Sequence, residues 1–564
     1  MTSLNIFKGL LALATLASAQ GLPSMNVNVA PIFNGSDVQS LNMTLKIVDS
    51  RIKANASFLS IPGWRYDISN PLTATDDKGA LPIAFTQDPK NGMKSWSVSR
   101  DPIGSIKVNF NADPDGDVDN LSGRSDLRYD QGGVFGQFQS FIPIPQGDEN
   151  WEMTISWDIP SSAPKTFHYV SSINGEDVQG KTFTGVPLKT LRQTVLALGE
   201  KLQRWPAWGV DTRVAGGHDF AIYYMHSIPW KLEEVAPAIR DIFNGTANYF
   251  GDRDSPFRVF FRRDFRAYGG VGAFQAFLVE YHLGSEEENS ADSLALLLSH
   301  EIVHSYANFW PENGEYDNWY VEGVADYLSF MSPFISGAIN RTHWIRWFND
   351  QAQDYYTGGS NLNATWDKVV ERYWTLGTYN IKTAYTRGSW YLAYVQGLIH
   401  DATNGAHTVD EVIKGLYKLY RDGKNVGKEE FLQLLGNLIG RPAADASWET
   451  MRNGTTLVPS KTAYAQYDVN LVRHDLPTFD LGMSENSLGQ GRVIGLKPGS
   501  MAAKAGLREN DTIVDFWGIW GALDTQDNKM RIGVNRNGTR VQFDYLPRNA
   551  TRLSECYQLV DATA

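Results

Sequence analysis

A chain of 564 residues, 42% of them hydrophobic, has ample apolar surface for burial and too much length for a single core, so two or three domains are expected. Its formal net charge of -12, with no Lys/Arg block along the chain, argues against a nucleic-acid backbone as partner. The single cysteine, Cys556, excludes an intrachain disulfide; stability must come from burial, and Cys556 itself is expected in the core.

In MTSLNIFKGLLALATLASAQ, Lys8 precedes a short apolar run ending in Ala17-Ser18-Ala19, the small-x-small pattern of a signal-peptidase site. Residues 1–19 are read as a signal peptide, and the mature chain as secreted and extracellular. No later stretch approaches the roughly 20 apolar residues of a membrane span. Asn-x-Ser/Thr sequons at Asn34, Asn42, Asn55, Asn120, Asn244, Asn340, Asn363, Asn453, Asn510, Asn537 and Asn549 are expected to carry glycan where they lie on surface loops.

Residues 20–187 read as an all-β domain, because short alternating segments such as LNMTLKIV, SIKVNF and WEMTISWDI are separated by Gly, Pro, Asp and Asn turns. Near Leu188 the period changes. LKTLRQTVLALGEKLQRW, KLEEVAPAIRDIF, SADSLALLLSHEIVHSYANFW, WYVEGVADYLSF, WYLAYVQGLIH, VDEVIKGLYKLY and KEEFLQLLGNLIG carry helical patterns. They make 188–455 a mainly helical α+β domain, with at least one strand at FRVFFRRDF. Beyond the MRNGTTLVPSKTAY connector, residues 456–564 return to short strands and turns as a small β-rich domain.

The sharpest chemical signal is His300-Glu301-Ile302-Val303-His304, inside a helix expected to begin around Asp292 or Ser293. Residues four apart share a helix face, so both imidazoles can reach one ion, while Glu301 beside them can take a proton from a water. Leu294, Leu298, Ile302 and Val303 supply the apolar packing that holds such ligands. A catalytic zinc needs a third protein ligand and an open fourth position. Glu322, in WYVEGVADY, meets that need if a second helix returns across the first after the loop at 311–318. Asp326 stands on the same face one turn on and is suited to accept an imidazole N–H from His300 or His304. The plain alternative for Asp326 is a cap or a surface ion pair.

Several segments accompany these residues: Ile61-Pro62-Gly63-Trp64-Arg65-Tyr66-Asp67-Ile68 before them, Tyr385-Thr386-Arg387-Gly388 and Asp401-Ala402-Thr403-Asn404-Gly405 with Asp410 after them, and Pro498-Gly499-Ser500-Met501-Ala502-Ala503-Lys504-Ala505-Gly506-Leu507 with Asn510-Asp511 near the C-terminus. Together they span nearly the whole mature chain and resemble the glycyl aminopeptidase family of zinc peptidases, a gluzincin branch. The resemblance implies a thermolysin-like catalytic domain binding one Zn2+ through His300, His304 and Glu322, with Glu301 as general base. It implies a C-terminal PDZ-like domain, in which Leu481, Gly482 and Met483 are the candidate loop for a chain-terminal carboxylate or an intramolecular ligand. It also implies Tyr385 as the donor that stabilises the oxyanion opposite the metal, since related zinc aminopeptidases carry a tyrosine at about this distance from the glutamate ligand. The plain alternative for Tyr385 is aromatic packing. Trp310 and Trp319 are expected as packing walls.

One segment departs from the family. Its Gly-Gly-Leu-Glu-His run, implied to line the cleft and to hold the substrate's α-amino group, corresponds here to Gly269-Gly270-Val271-Gly272-Ala273, so the carboxylate is missing. An ammonium without a counter-charge in a desolvated cleft forfeits several kcal/mol. Either another acid, with Glu286, Glu287 and Glu288 as candidates, restores the charge, or the enzyme accepts blocked or internal positions. The expected activity is therefore hydrolysis of peptides or proteins, as an aminopeptidase for Gly or Ala N-termini or else as an endopeptidase. The reading from another class is a secreted PDZ-type binding or scaffold protein with a vestigial catalytic domain. Retention of three ligands together with the base weighs against it.

Overall fold

The computed structural model describes residues 22–62, 71–115, 126–145, 147, 149–213, 217–225, 227–264, 269–281, 290–310, 318–358, 362–373 and 382–562. The signal-peptide segment, residues 63–68 of the Pro-Gly segment, Asn120 and the Glu286, Glu287, Glu288 run lie outside them. The chain forms two compact units, Met1–Pro237 with Asp254–Leu294, and Ala238–Arg253 with Ala295–Ala564.

The first unit is β-rich. Ser24–Asn34 pairs antiparallel with Asp37–Val48 and parallel with Asn150–Trp157 inside a seven-stranded sheet. Period-two alternation sends Met25, Val27 and Val29 to the same core as Met43, Leu45 and Ile47, all buried. A five-stranded sheet then joins Gly133–Gln137, Val195–Gly199 and His168–Ser171 with their neighbours. This corrects the helix expected over 188–205, where only Leu188–Arg192 is helical and Val195–Gly199 and Leu202–Trp205 are strands. The cause lies in Val195-Leu196-Ala197-Leu198, an apolar run buried on both faces. A run of that length is equally suited to a buried strand and a buried helix.

A second five-stranded sheet of this unit has the order Leu202–Trp205, Phe220–Met225, Phe257–Arg263, Ala276–Tyr281, Gly269–Ala273. Its three middle strands run parallel and are buried almost throughout, which explains continuous apolar sequences such as FRVFF in place of alternation. Gly269–Ala273 closes the edge as an antiparallel hairpin with Ala276–Tyr281, Gly272 opposite Phe277.

The second unit is mainly helical. It contains most of Ala291–Ala307, then Asn318–Ser336, Arg341–Thr357, Lys382–Thr403, Val409–Arg421, Lys428–Ile439 and Arg441–Arg452. Its C-terminal part is a small β domain: Val469–Phe479 pairs antiparallel with Arg548–Asp561, and Thr512–Trp517, Met530–Arg536 and Thr539–Tyr545 form a three-stranded sheet over its own apolar core. Within this unit Asn349 fixes the long C-terminal strand, donating from Nδ2 to Leu559 O (3.0 Å) and accepting from Leu559 N–H at Oδ1 (2.7 Å). Cys556, on that strand, is fully buried, and burial pushes its thiol up to about 12. The order β-rich region, helical region, small β domain is the one the sequence leads one to expect. Among the described residues, no helix is long and apolar enough to cross a membrane.

Candidate metal centre

The helix Ala291–Ala307 buries Leu294, Leu298, Ile302 and Val303, leaving His300 and His304 on one edge, a turn apart. The next helix, Asn318–Ser336, returns with Glu322. The three ligand atoms form a near-equilateral triangle: Nε2 to Nε2 is 3.1 Å, and Glu322 Oε2 is 3.3 Å from His300 Nε2 and 3.4 Å from His304 Nε2. Tetrahedral zinc with bonds of about 2.0–2.1 Å requires edges of about 3.3–3.4 Å, so the triangle fits that ion. The buried Glu322 Oε2 makes no hydrogen bond, and a cation among the three atoms would satisfy it. No fourth side chain joins the cluster among the described residues, and His304 and Glu322 keep 17% and 18% side-chain exposure, which leaves room for water or substrate.

The electrostatics favour a cation as well. Burial tends to raise the Glu322 carboxyl, yet His304 and His300 outweigh it and hold the group well below the usual carboxylate range. Burial likewise opposes charge on His300, but the hydrogen bond to Asp326 and the nearby Glu322 carboxylate prevail and raise its affinity for a proton. The carboxylates of Asp326, Glu322 and Glu301 that favour a proton on His300 are of the charge that also attracts a cation.

Asp326 lies where its spacing from Glu322 suggests: Oδ1 is 2.7 Å from His300 Nδ1, and Oδ2 accepts from Gln351 Nε2 at 3.1 Å. With Nδ1–H donated to the carboxylate, the lone pair of His300 is at Nε2, toward the other two ligands. Ser299 Oγ donates to Ser329 O (2.6 Å) and clasps the two ligand helices together.

Tyr385, on the helix Lys382–Thr403, stacks on His300 with ring centroids 5.6 Å apart and planes at 15°. Two glycines make this approach possible. A Cβ on Gly388 would overlap the Trp319 carbonyl and come within 2.7 Å of Gly323 Cα, so the helices carrying Glu322 and Tyr385 cross backbone to backbone. Sequence reading did not single out that pair or Gln351, although a glycine inside a helical pattern is itself a signal. Burial, and next the negative charge of Glu322, raise the Tyr385 hydroxyl well above its ordinary range and keep it protonated. Trp310 and Trp319 are buried in an aromatic wall, Trp310 on Tyr320 (4.3 Å) and Trp319 against Trp448 (5.0 Å).

In the strand Gly269–Ala273 the backbone of Gly272 accepts from Gln137 Nε2 at 2.9 Å. The nearest acid in its hairpin, Glu280, is buried against Arg262 at 2.6 Å and Arg128 at 3.2 Å. In the C-terminal domain Leu481 and Met483 are core residues, and Gly482 N–H is donated to Asp480 Oδ1 at 2.9 Å. That amide already serves an internal carboxylate.

No protein-family model matches this chain, and no curated protein matches its sequence. Among solved structures, 95% of the chain superposes on 98% of an aminopeptidase N family protein from Idiomarina loihiensis, with a TM-score of 0.64 at 13% identity. The M1 zinc metallopeptidase of Deinococcus radiodurans gives 0.49 at 16% identity, over 78% of this chain and 96% of that one. The first of these similarities shows the fold, that of the aminopeptidase N family protein, and within it His300, His304 and Glu322 form a three-ligand cluster that could hold one metal ion.

Proposed function

We propose that the chain is an exported zinc aminopeptidase that removes small N-terminal residues, glycine or alanine, from peptides, and that among gluzincins it belongs with the glycyl aminopeptidases. The observation that carries the reading is the open three-ligand triangle with Tyr385 stacked beside it. When bound, zinc supplies Lewis acidity, giving a more acidic water and a polarised scissile carbonyl. Glu301, whose charge bears on both His300 and Tyr385, accepts the proton of the attacking water and returns it to the leaving amine. The Tyr385 hydroxyl donates a hydrogen bond to the carbonyl oxygen as charge develops there. Asp326 and Gln351 keep His300 in the tautomer and orientation that a ligand needs.

Export and glycosylation are supported by the N-terminal segment and by the exposure of Asn34, Asn42, Asn55, Asn340, Asn363, Asn453, Asn510 and Asn537. For the PDZ-like domain we favour a structural role over peptide capture at 481–483, because the Gly482 amide is engaged by Asp480. The intact triangle, with its opening and its neighbouring base, favours an enzyme over a scaffold.

A second reading, endopeptidase, is favoured by one observation: the strand Gly269–Ala273 carries no acid, and Glu280 is committed to arginines. A paired assay on one peptide with free and acetylated N-termini separates the two, run below about pH 7 where the free α-amine is mostly charged. An aminopeptidase rejects the acetylated peptide. Cleavage of both at the same internal bond, with kcat/KM differing by less than about tenfold, or about 1.4 kcal/mol, would overturn the preferred reading.

A further inference from the structure

A side chain of the small C-terminal domain, Trp520, touches Tyr385 beside the metal centre. The short helix Ile519–Asp524 of this domain is anchored by Ile519, Ala522 and Leu523, which are buried in the domain's core. Trp520, between these anchors, remains 38% exposed and lies outside that core. Its indole turns to the helix Lys382–Thr403. There it meets the Tyr385 ring edge to face, with centroids 5.8 Å apart and planes at 89°. Lys382, one turn before Tyr385, lies with its Nζ 5.2 Å from the indole centre and donates to Trp520 O at 3.3 Å. The same ammonium is buried between two carboxylates, Asp354 at 2.8 Å and Asp524 of the Trp520 helix. That ion pair fixes the Trp520 helix against the Tyr385 helix.

Tyr385 thus touches two aromatic rings, His300 stacked nearly parallel to it and Trp520 perpendicular to it. A ring stacked on one partner alone can swing away about its side-chain torsions, and a second aromatic contact closes that escape. A donor to a developing oxyanion must hold its place, since a displacement of about 1 Å costs on the order of a hundredfold in rate. We propose that Trp520 is a positioning residue: the C-terminal domain uses it to hold the Tyr385 ring against His300, which makes this domain part of the catalytic apparatus. The inference rests on Tyr385 acting as the oxyanion donor.

The test is a double-mutant cycle in the full-length zinc enzyme, with zinc content and unfolding temperature followed alongside. Tyr385→Phe should retain zinc and lower kcat by about a hundredfold. Trp520→Ala should lower kcat by at least about tenfold with KM within about twofold, whereas Trp520→Phe, which keeps an aromatic edge, retains most of it. In the Tyr385→Phe background, Trp520→Ala should cost less than about twofold more, because its effect passes through the missing hydroxyl. Independent, multiplying losses in the double mutant, or wild-type kcat in Trp520→Ala, would overturn the proposal. If Trp520→Ala does not fold, Trp520→Leu, which keeps apolar bulk without an aromatic edge, enters the same cycle. Wild-type kcat in Tyr385→Phe alone is a separate failure, that of the Tyr385 reading, and the single mutant reveals it.

Discussion

Replacing Glu301 by glutamine is expected to leave zinc bound and to lower kcat by about a thousandfold. The substitution keeps the shape of the side chain and removes its basicity, and Glu301 is not one of the three atoms of the ligand triangle. Metal content should therefore stay at the wild-type level while hydrolysis is nearly lost. An equal fall in both would make Glu301 a support of the site, and full activity would remove it from the chemistry.

Gly388→Ala is expected to destabilise the fold by about 3 kcal/mol or more, the opposite of the usual helix trend. Alanine gains about 1 kcal/mol of helix propensity over glycine, but here its methyl would meet the Trp319 carbonyl and Gly323 Cα, both backbone groups that cannot rotate aside. Relief requires the helices of Glu322 and Tyr385 to part. Protein that still folds should therefore lose kcat as well, because Tyr385 is one turn from the crossing. Gly489→Ala is the control, since a Cβ there has nothing within 4 Å. Thermal unfolding and kcat of both variants check the expectation, and equal unfolding temperatures for Gly388→Ala and wild type would contradict it.

The ligand set was legible because its geometry is local. His300 and His304 share a helix face by spacing, and Asp326 follows Glu322 by the same four residues, so helical periodicity alone joins each pair. What joins the two helices is not local. The Gly323–Gly388 crossing and the Ser299–Ser329 clasp appear only when the chain is folded. The Lys382–Asp354–Asp524 ion pair and the Trp520–Tyr385 contact are further from reach, since each spans the helical region and the C-terminal domain. The misreading of 188–205 has a different cause: in Val195–Gly199 both faces are buried, and the alternation that marks a strand is erased. The hydrogen bond from the Gly482 amide to Asp480, two residues away, was likewise not singled out in the sequence.

Zinc content of the purified full-length protein, measured by elemental analysis on wild type and on His304→Ala, tests the metal centre most directly. About one zinc per chain is expected in the wild type, removed by a chelator together with peptidase activity and restored with it on adding zinc, while His304→Ala should hold little metal. A wild type that hydrolyses peptides equally well without zinc, or a His304→Ala variant with undiminished zinc, would contradict the assignment of His300, His304 and Glu322 as the catalytic site.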